Sequence, residues 1–195
     1  MNDEDSFEAV QYIPVLKTDF IMKSTLSKEL CDALIKLSEQ KIETDIVDNL
    51  EGVRRTGWNL QKDSDVAPYL QMVTAKVEHC ISTRLNYPHF HKNRPSSMRS
   101  NGMQFVIAMY NAWVGFYKGN SFVHPHCHEE PPNFYSIAAY LSTGSDDTSL
   151  SFMTDESPSH GVNRPKVICK QGDLIIFPSS LYHYTNDTSD ERVVL

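Results

Sequence analysis

Three histidines stand at alternate positions in one short run of the chain, His124, His126 and His128, and Glu130 follows two residues later. Alternate residues of a β-strand point to the same face, so an extended backbone would bring these side chains together. Imidazole is the commonest metal ligand among protein side chains. Because packing gives no reason for three histidines on one strand face, this run predicts a metal site.

A second segment, residues 172–183, supplies a further histidine to the same kind of site. It begins with Gly172-Asp173, continues as an apolar run to Pro178, and reaches His183 after a short turn. The apolar run is typical of a buried strand. Arg192 follows nine residues after His183. We therefore expect the segment to carry His183 from a distant part of the sequence to the metal face.

Composition narrows the class of protein. A chain of 195 residues fits one domain, here residues 1–195. Its net charge of −7 argues against a general nucleic-acid or anionic-membrane binder. The four cysteines form no CxxC pair, which is typical of reduced thiols in a cytoplasmic protein. With no membrane-length apolar run and an acidic N-terminus, we expect a cytoplasmic location, or the host cytoplasm if a phage encodes the chain.

The pattern of elements changes near the middle of the chain. Apolar residues at helical spacing predict helices over about residues 27–41 and 66–84. Short apolar runs separated by turns predict a β region over 103–195, after a helical front over 1–100. The predicted strands are Gln104–Tyr110, Ala112–Tyr117, Phe122–His126, Tyr135–Leu141, Leu150–Met153, Lys166–Cys169 and Leu174–Phe177. We expect a mostly β jelly roll with two helices packed on one sheet.

These segments resemble the iron(II)- and 2-oxoglutarate-dependent oxygenases, especially a small phage and marine-bacterial group related to prolyl 4-hydroxylases. The resemblance starts near residue 50 and implies a double-stranded β-helix, the jelly roll that cupins also adopt. The residues that carry it are Gly57-Trp58, Trp113, Lys118-Gly119, Phe122, His126-Cys127-His128, Ser136, Tyr140, Gly172-Asp173, Phe177-Pro178-Ser179, His183 and Arg192.

The resemblance also implies a function. It implies a dioxygenase of the hydroxylase type that uses Fe(II), 2-oxoglutarate and O2, and decarboxylates 2-oxoglutarate to succinate. His126, His128 and His183 would be the catalytic iron ligands, since such enzymes hold iron through three side chains on one face. The planar guanidinium of Arg192 would bind the distal carboxylate of 2-oxoglutarate. Tyr117 would reach that carboxylate too, although it also fits an ordinary strand aromatic.

The ligand register has alternatives. His124 with His126, His126 with His128, and His128 with Glu130 each suit one part of the pattern. A cupin-type metalloprotein that uses His124, His126, Glu130 and His183 is a rival interpretation. A non-catalytic metal-binding module, with zinc for example, is another. Anchoring on Trp113 and Phe122 selects His126 and His128, with His124 behind the ligands or facing the substrate.

The expected partners are less defined. We expect an unknown substrate, either a small molecule or a protein side chain, and neither a membrane nor nucleic acid. The chain ends at Leu195, three residues after Arg192. This predicts a short final strand with an unpaired edge, and such an edge would favour a homodimer.

Overall fold

A computed structural model gives the architecture of the chain. It describes residues 11–14, 20–43, 53–85, 107–119, 121–128, 134–144, 148–153, 165–188 and 191–195.

Two α-helices lie close to the predicted positions. Helix α1 covers Lys28–Glu39 and helix α2 covers Ala67–Leu85. The side chain of Ser27 caps α1, because its hydroxyl accepts a hydrogen bond from the Leu30 N–H at 3.3 Å. Within the described part of the chain, neither helix has the length and apolar character needed to cross a membrane.

Twelve strands form two antiparallel sheets within the described residues. They are β1 Gln11–Pro14, β2 Phe20–Thr25, β3 Ile42–Glu43, β4 Val53–Thr56, β5 Gly115–Tyr117, β6 Ser121–His126, β7 Tyr135–Thr143, β8 Ser149–Met153, β9 Lys166–Ile168, β10 Asp173–Pro178, β11 Tyr182–Thr188 and β12 Arg192–Val194. The larger sheet has the order β1-β2-β10-β7-β12-β5-β4-β3, and the smaller one has the order β6-β11-β8-β9. The architecture is mostly β and jelly-roll-like, with two helices.

The larger sheet separates two apolar cores. Leu174 and Ile176 of β10 pack on the side of the two helices, whereas Ile175 and Phe177 pack against residues of the smaller sheet. Alternate residues of a strand point to opposite faces, so a strand that is covered on both sides is apolar throughout. This explains the continuous apolar run, and it confirms that the helices pack on one sheet.

The turn before β10 requires a glycine. Gly172 has a φ of 89°, which side-chain-bearing residues rarely adopt. A Cβ atom at this position would lie 2.9 Å from the backbone oxygen of Leu26. The Leu26 N–H also donates to the Gly172 carbonyl at 2.7 Å. The turn thus ties the chain just before α1 to the start of β10.

The front of the chain differs from the prediction, because it is not only helical. Strands β1 to β4 come from this part and occupy both ends of the larger sheet. They are short, and no strong period-2 pattern marks them. Strand β2 pairs with β10 and β4 pairs with β5, in each case more than 50 residues away in the sequence. Local sequence patterns carry no sign of partners at that distance. Strands β1 and β3 are short end strands that pair with β2 and β4.

The predicted strand Gln104–Tyr110 is wrong where it can be checked. Residues 107–110 form no strand, and residues 104–106 lie outside the described part. The side chain of Gln61 bonds this segment instead: its amide donates to the Tyr110 carbonyl, and its oxygen accepts from the Ala112 N–H at 3.0 Å. The predicted Ala112–Tyr117 strand shortens to Gly115–Tyr117 for the same reason.

The final strand is not an edge. Strand β12 pairs with β7 on one side and with β5 on the other. The premise of an unpaired edge at Leu195 was therefore wrong. The homodimer that it suggested stays a prediction without this support.

Candidate metal centre

Strands β6 and β11 bring two of the predicted ligands face to face. His126 and His183 are direct partners in the antiparallel pairing of these strands. The third histidine, His128, follows the end of β6, and its backbone N–H donates to the Ser179 carbonyl at 2.8 Å. Ser179 belongs to the turn between β10 and β11, so the turn that delivers His183 also holds His128.

The three imidazoles form a compact cluster. One ligand atom from each of His126, His128 and His183 can be chosen so that all lie within 4.8 Å of one another. Their ring centroids are 4.3 Å apart for His126 and His183, 4.9 Å for His126 and His128, and 5.3 Å for His128 and His183. Imidazole nitrogens grouped in this way could hold a metal ion, and small ring rotations would bring them to the usual bond lengths of about 2 Å.

Backbone carbonyls fix the orientation of two of these rings. The Nδ1 of His126 lies 2.8 Å from the His124 carbonyl, and the Nδ1 of His183 lies 3.0 Å from the Leu181 carbonyl. A carbonyl oxygen only accepts, so each Nδ1 carries the proton. The Nε2 lone pair of each ring is then available to a metal.

Burial favours the neutral form of two imidazoles of the cluster. It lowers the pKa of His183 to about 3, and neighbouring His126 adds to the shift. Burial also lowers the pKa of His128, again with a contribution from His126. Phe177 packs against His183 with ring centroids 4.6 Å apart, and Phe152 lies beyond at 6.5 Å. His183 is therefore neutral at neutral pH, as a metal ligand must be.

His124 does not join the cluster, and the expectation that all three alternate histidines share a face was wrong. Thr185 pairs with Val123, so β6 has one more residue than β11 between this pair and the His126–His183 pair. Such a β-bulge reverses the side-chain alternation. His124 is exposed and stacks edge-on against Phe122 at 4.7 Å. The cupin ligand set, which needs His124, therefore does not assemble.

Arg192 lies in the protein interior, close to the histidine cluster. Its side chain is 1% exposed, and Nη2 donates to the Thr185 hydroxyl and to the Ser121 carbonyl, both at 3.0 Å. Thr185 is two residues after His183 on β11, a separation of about 7 Å along a strand. The guanidinium also lies over the ring of Tyr117, 4.5 Å from its centroid. A buried positive charge thus lies deeper than the histidine cluster.

Tyr140 is a candidate residue to which sequence reasoning gave no role. It lies on β7 and is fully buried between the sheets. Among the described residues, its hydroxyl makes no hydrogen bond. Burial raises its pKa well above the usual value, the nearby Cys169 thiol adds to the shift, and the positive charge of Arg192 opposes it. A thiol is only a weak donor and acceptor, so it leaves the hydroxyl unsatisfied. The sequence signal was the place of Tyr140 among the residues that carry the resemblance, which assigned it no role.

Trp113 and Tyr117 approach each other across a glycine. A Cβ atom at Gly115 would lie 2.8 Å from the Tyr117 ring and 2.9 Å from the Trp113 ring. Trp113 in turn contacts Trp58 edge-on at 5.4 Å, and the Arg55 guanidinium stacks on Trp58 at 4.2 Å. The two tryptophans singled out in the sequence thus form one aromatic cluster next to Tyr117.

Exposed aromatic side chains flank the histidines. Phe134 is 81% exposed and Tyr182 is 48% exposed. The Phe134 carbonyl accepts from the Ser179 N–H at 3.1 Å, which places Phe134 beside the turn that holds His128. Tyr182 directly precedes His183 on β11, so its side chain points to the opposite face of that strand. Glu130, the carboxylate offered by two of the alternative ligand sets, lies outside the described residues.

Comparison with solved structures shows a shared fold. A prolyl-4-hydroxylase from Pseudomonas putida aligns with a TM-score of 0.60 and 15% identity over 91% of this chain and 90% of its own. A prolyl hydroxylase from Trichoplax adhaerens, solved with a hypoxia inducible factor peptide fragment, aligns with a TM-score of 0.58 and 13% identity over 89% of this chain and 79% of its own. The chain has the fold of 2-oxoglutarate oxygenases.

One similar structure contains a metal and the cosubstrate. HygX from Streptomyces hygroscopicus, with nickel and 2-oxoglutarate bound, aligns with a TM-score of 0.59 and 12% identity over 89% of this chain and 80% of its own. At the level of sequence, no family model and no curated protein matches the chain. The identities between 12% and 15% show similarity of fold alone.

Proposed function

We propose that this chain is an Fe(II)- and 2-oxoglutarate-dependent dioxygenase of the hydroxylase type, built on a double-stranded β-helix. The observation that carries the proposal is the convergence of His126, His128 and His183 beside a buried Arg192 in the space between the sheets. Three histidines alone would also suit zinc, and a buried guanidinium alone can belong to a structural ion pair. Arg192 bonds to Thr185, two residues after His183 on β11, so the buried cation lies close to the metal ligands. This arrangement suits a dianion that chelates the metal at one end and pairs with the guanidinium at the other.

The histidines fit the metal. His126 and His183 present Nε2, because their Nδ1 atoms donate to backbone carbonyls. Three ligands from one side leave the other coordination positions of an iron ion open. Iron(II) held there would supply the activation of dioxygen that is coupled to the decarboxylation of 2-oxoglutarate.

The buried polar groups around Arg192 would suit the distal carboxylate of 2-oxoglutarate. Arg192 supplies the positive charge, and Thr185 and Ser121 fix one end of its guanidinium through Nη2. Burial raises the pKa of Tyr117 to about 12, so its hydroxyl keeps its proton and can donate. The buried Tyr140 hydroxyl, which lacks a partner among the described residues, would gain one in the carboxylate. In this role Arg192 binds the cosubstrate, and the two tyrosines orient it.

Apolar side chains complete the reaction space. Phe177 and Phe152 pack behind His183 and exclude water from that side of the cluster. Exclusion of water strengthens electrostatic interactions and limits side reactions. The exposed ring of Phe134, beside the turn that holds His128, would meet the substrate. Similar structures hold a peptide fragment in one case and hygromycin B in another, and we expect a peptide or a small molecule here too.

The test combines metal binding, cosubstrate binding and turnover. His183→Ala leaves two imidazoles, which hold a divalent ion poorly, so stoichiometric iron binding should be lost. The matched control is His124→Ala, which removes an exposed histidine two residues from His126 and should bind iron normally. Anaerobic titration with Fe(II) measures metal binding, anaerobic titration of the iron-loaded protein with 2-oxoglutarate measures cosubstrate binding, and succinate formation in air measures turnover.

Two results would refute the proposal in different ways. Normal iron stoichiometry in His183→Ala would reject the ligand set. Iron-loaded protein that binds no 2-oxoglutarate would reject the dioxygenase and favour a non-catalytic metal-binding module.

A further inference from the structure

The candidate centre contains no carboxylate among the described residues. The cluster consists of His126, His128 and His183. The usual facial arrangement for non-haem iron in oxygenases has two histidines and one carboxylate. We propose that His128 takes the place of that carboxylate and makes the centre discriminate against Mn(II) in favour of metals that prefer imidazole. The inference rests on the proposed metal centre.

The geometry favours imidazole as the third ligand. His128 is close enough to both partners, with its ring centroid 4.9 Å from His126 and 5.3 Å from His183. Its backbone is anchored to the Ser179 carbonyl, so its position is fixed from the same turn that positions His183. The backbone of His128 is thus held where its imidazole can complete the cluster.

The described side chains that pack around the cluster do not restore the missing negative charge. Phe177 and Phe152 pack behind His183 and are apolar. The charged group that lies deeper between the sheets, Arg192, is positive. A divalent ion bound to three neutral imidazoles would therefore keep its full charge until an anionic ligand arrives.

This charge balance separates metals by type. Carboxylate and water suit Mn(II) and Mg(II), whereas imidazole suits iron, nickel, copper and zinc. Replacing the carboxylate with an imidazole should therefore lower the affinity for Mn(II) more than the affinity for Co(II) or Ni(II). His128 thus acts as the residue that sets metal selectivity.

The test measures the ratio of two dissociation constants, Mn(II) over Co(II), in the full chain. Mn(II) binding is followed by the loss of the free-ion EPR signal, and Co(II) binding by its visible absorption. His128→Asp should lower this ratio by at least about tenfold, because the new carboxylate favours the harder ion. The matched control is His124→Asp, which adds the same charge at an exposed position outside the cluster and should leave the ratio unchanged.

A second variant keeps the inference testable if His128→Asp does not fold. Glu130 stands two residues after His128 and is the carboxylate that the alternative ligand sets use. Glu130→Gln should leave the Co(II) affinity and the ratio unchanged. A tenfold loss of Co(II) affinity in Glu130→Gln would overturn the inference, since a carboxylate would then belong to the ligand set. An unchanged ratio in His128→Asp, or an equal shift in His124→Asp, would also overturn it.

These failures differ from failure of the proposed function. If the unaltered chain binds neither Co(II) nor Mn(II), the metal centre itself is wrong. If it binds both and only the selectivity results disagree, the centre stands and the role of His128 falls.

Discussion

Replacing Tyr140 with phenylalanine should have opposite effects on the free protein and on cosubstrate binding. The hydroxyl is fully buried and has no partner among the described residues. An unsatisfied buried polar group costs about 1–3 kcal/mol. Tyr140→Phe removes that group and retains the ring, so the free energy of unfolding without ligand should stay equal or rise by about 1 kcal/mol.

The same change should weaken 2-oxoglutarate binding. A hydrogen bond to a charged group contributes about 1.5–3 kcal/mol. Because about 1.4 kcal/mol corresponds to a factor of ten, the dissociation constant should rise by about 10- to 100-fold. The affinity of the metal itself should not change, since Tyr140 lies outside the histidine cluster.

Two measurements check this pair of effects. Urea unfolding of the metal-free protein gives the change in stability, and calorimetric titration of 2-oxoglutarate into nickel-loaded protein gives the change in affinity. Tyr110→Phe serves as the control, because Tyr110 is largely exposed and should change neither quantity measurably.

Either of two results would contradict the reasoning. A loss of more than about 1 kcal/mol in the free protein would mean that the hydroxyl makes a stabilising hydrogen bond after all. Unchanged 2-oxoglutarate affinity would mean that Tyr140 and the buried groups around Arg192 do not hold the carboxylate.

Two further predictions concern the buried cation and the turn before β10. Arg192→Met keeps much of the side-chain length but removes the charge; 2-oxoglutarate affinity should fall by at least about two orders of magnitude, since breaking a buried charge pair costs about 3–5 kcal/mol. Equilibrium dialysis with nickel should give an unchanged metal affinity in that variant, and a parallel loss of both ligands would indicate misfolding instead. Gly172→Ala places a Cβ atom 2.9 Å from the Leu26 oxygen at a φ of 89°, so the free energy of unfolding should fall by about 1–3 kcal/mol. Urea unfolding checks it, and wild-type stability would show that the turn relaxes without cost.

Local patterns determined the helices and much of the β region. The apolar stripe and Ser27 placed α1 to within a few residues, because helix period and capping act over one or two turns. The apolar run of residues 174–177 predicted a buried strand, and β10 is covered on both faces. Strands β2 and β4 were missed, because their partners β10 and β5 lie far away in the sequence and leave no local signal, and the short strands β1 and β3 that pair with them were missed too.

The sequence also determined which residue types meet, but not all of their positions. It singled out His126, His128 and His183, and the structure brings these three together. It also suggested that His124 would share their face, which strict alternation requires. The β-bulge opposite Thr185 cancels that alternation. A bulge arises from the pairing of two strands, so no single strand sequence reveals it.

Tertiary structure alone determined which polar groups lie next to one another between the sheets. Tyr140 reads as one aromatic residue in an apolar strand, and only the packed sheets turn its hydroxyl into a buried group beside the charge of Arg192. The free energy that a polar atom contributes depends on its hydrogen-bond partners and on its exposure to water, and residues far away in the sequence fix both. The sequence by itself supplied the imidazoles and the guanidinium, and the crossing of the strands between two sheets decided which of them face one another.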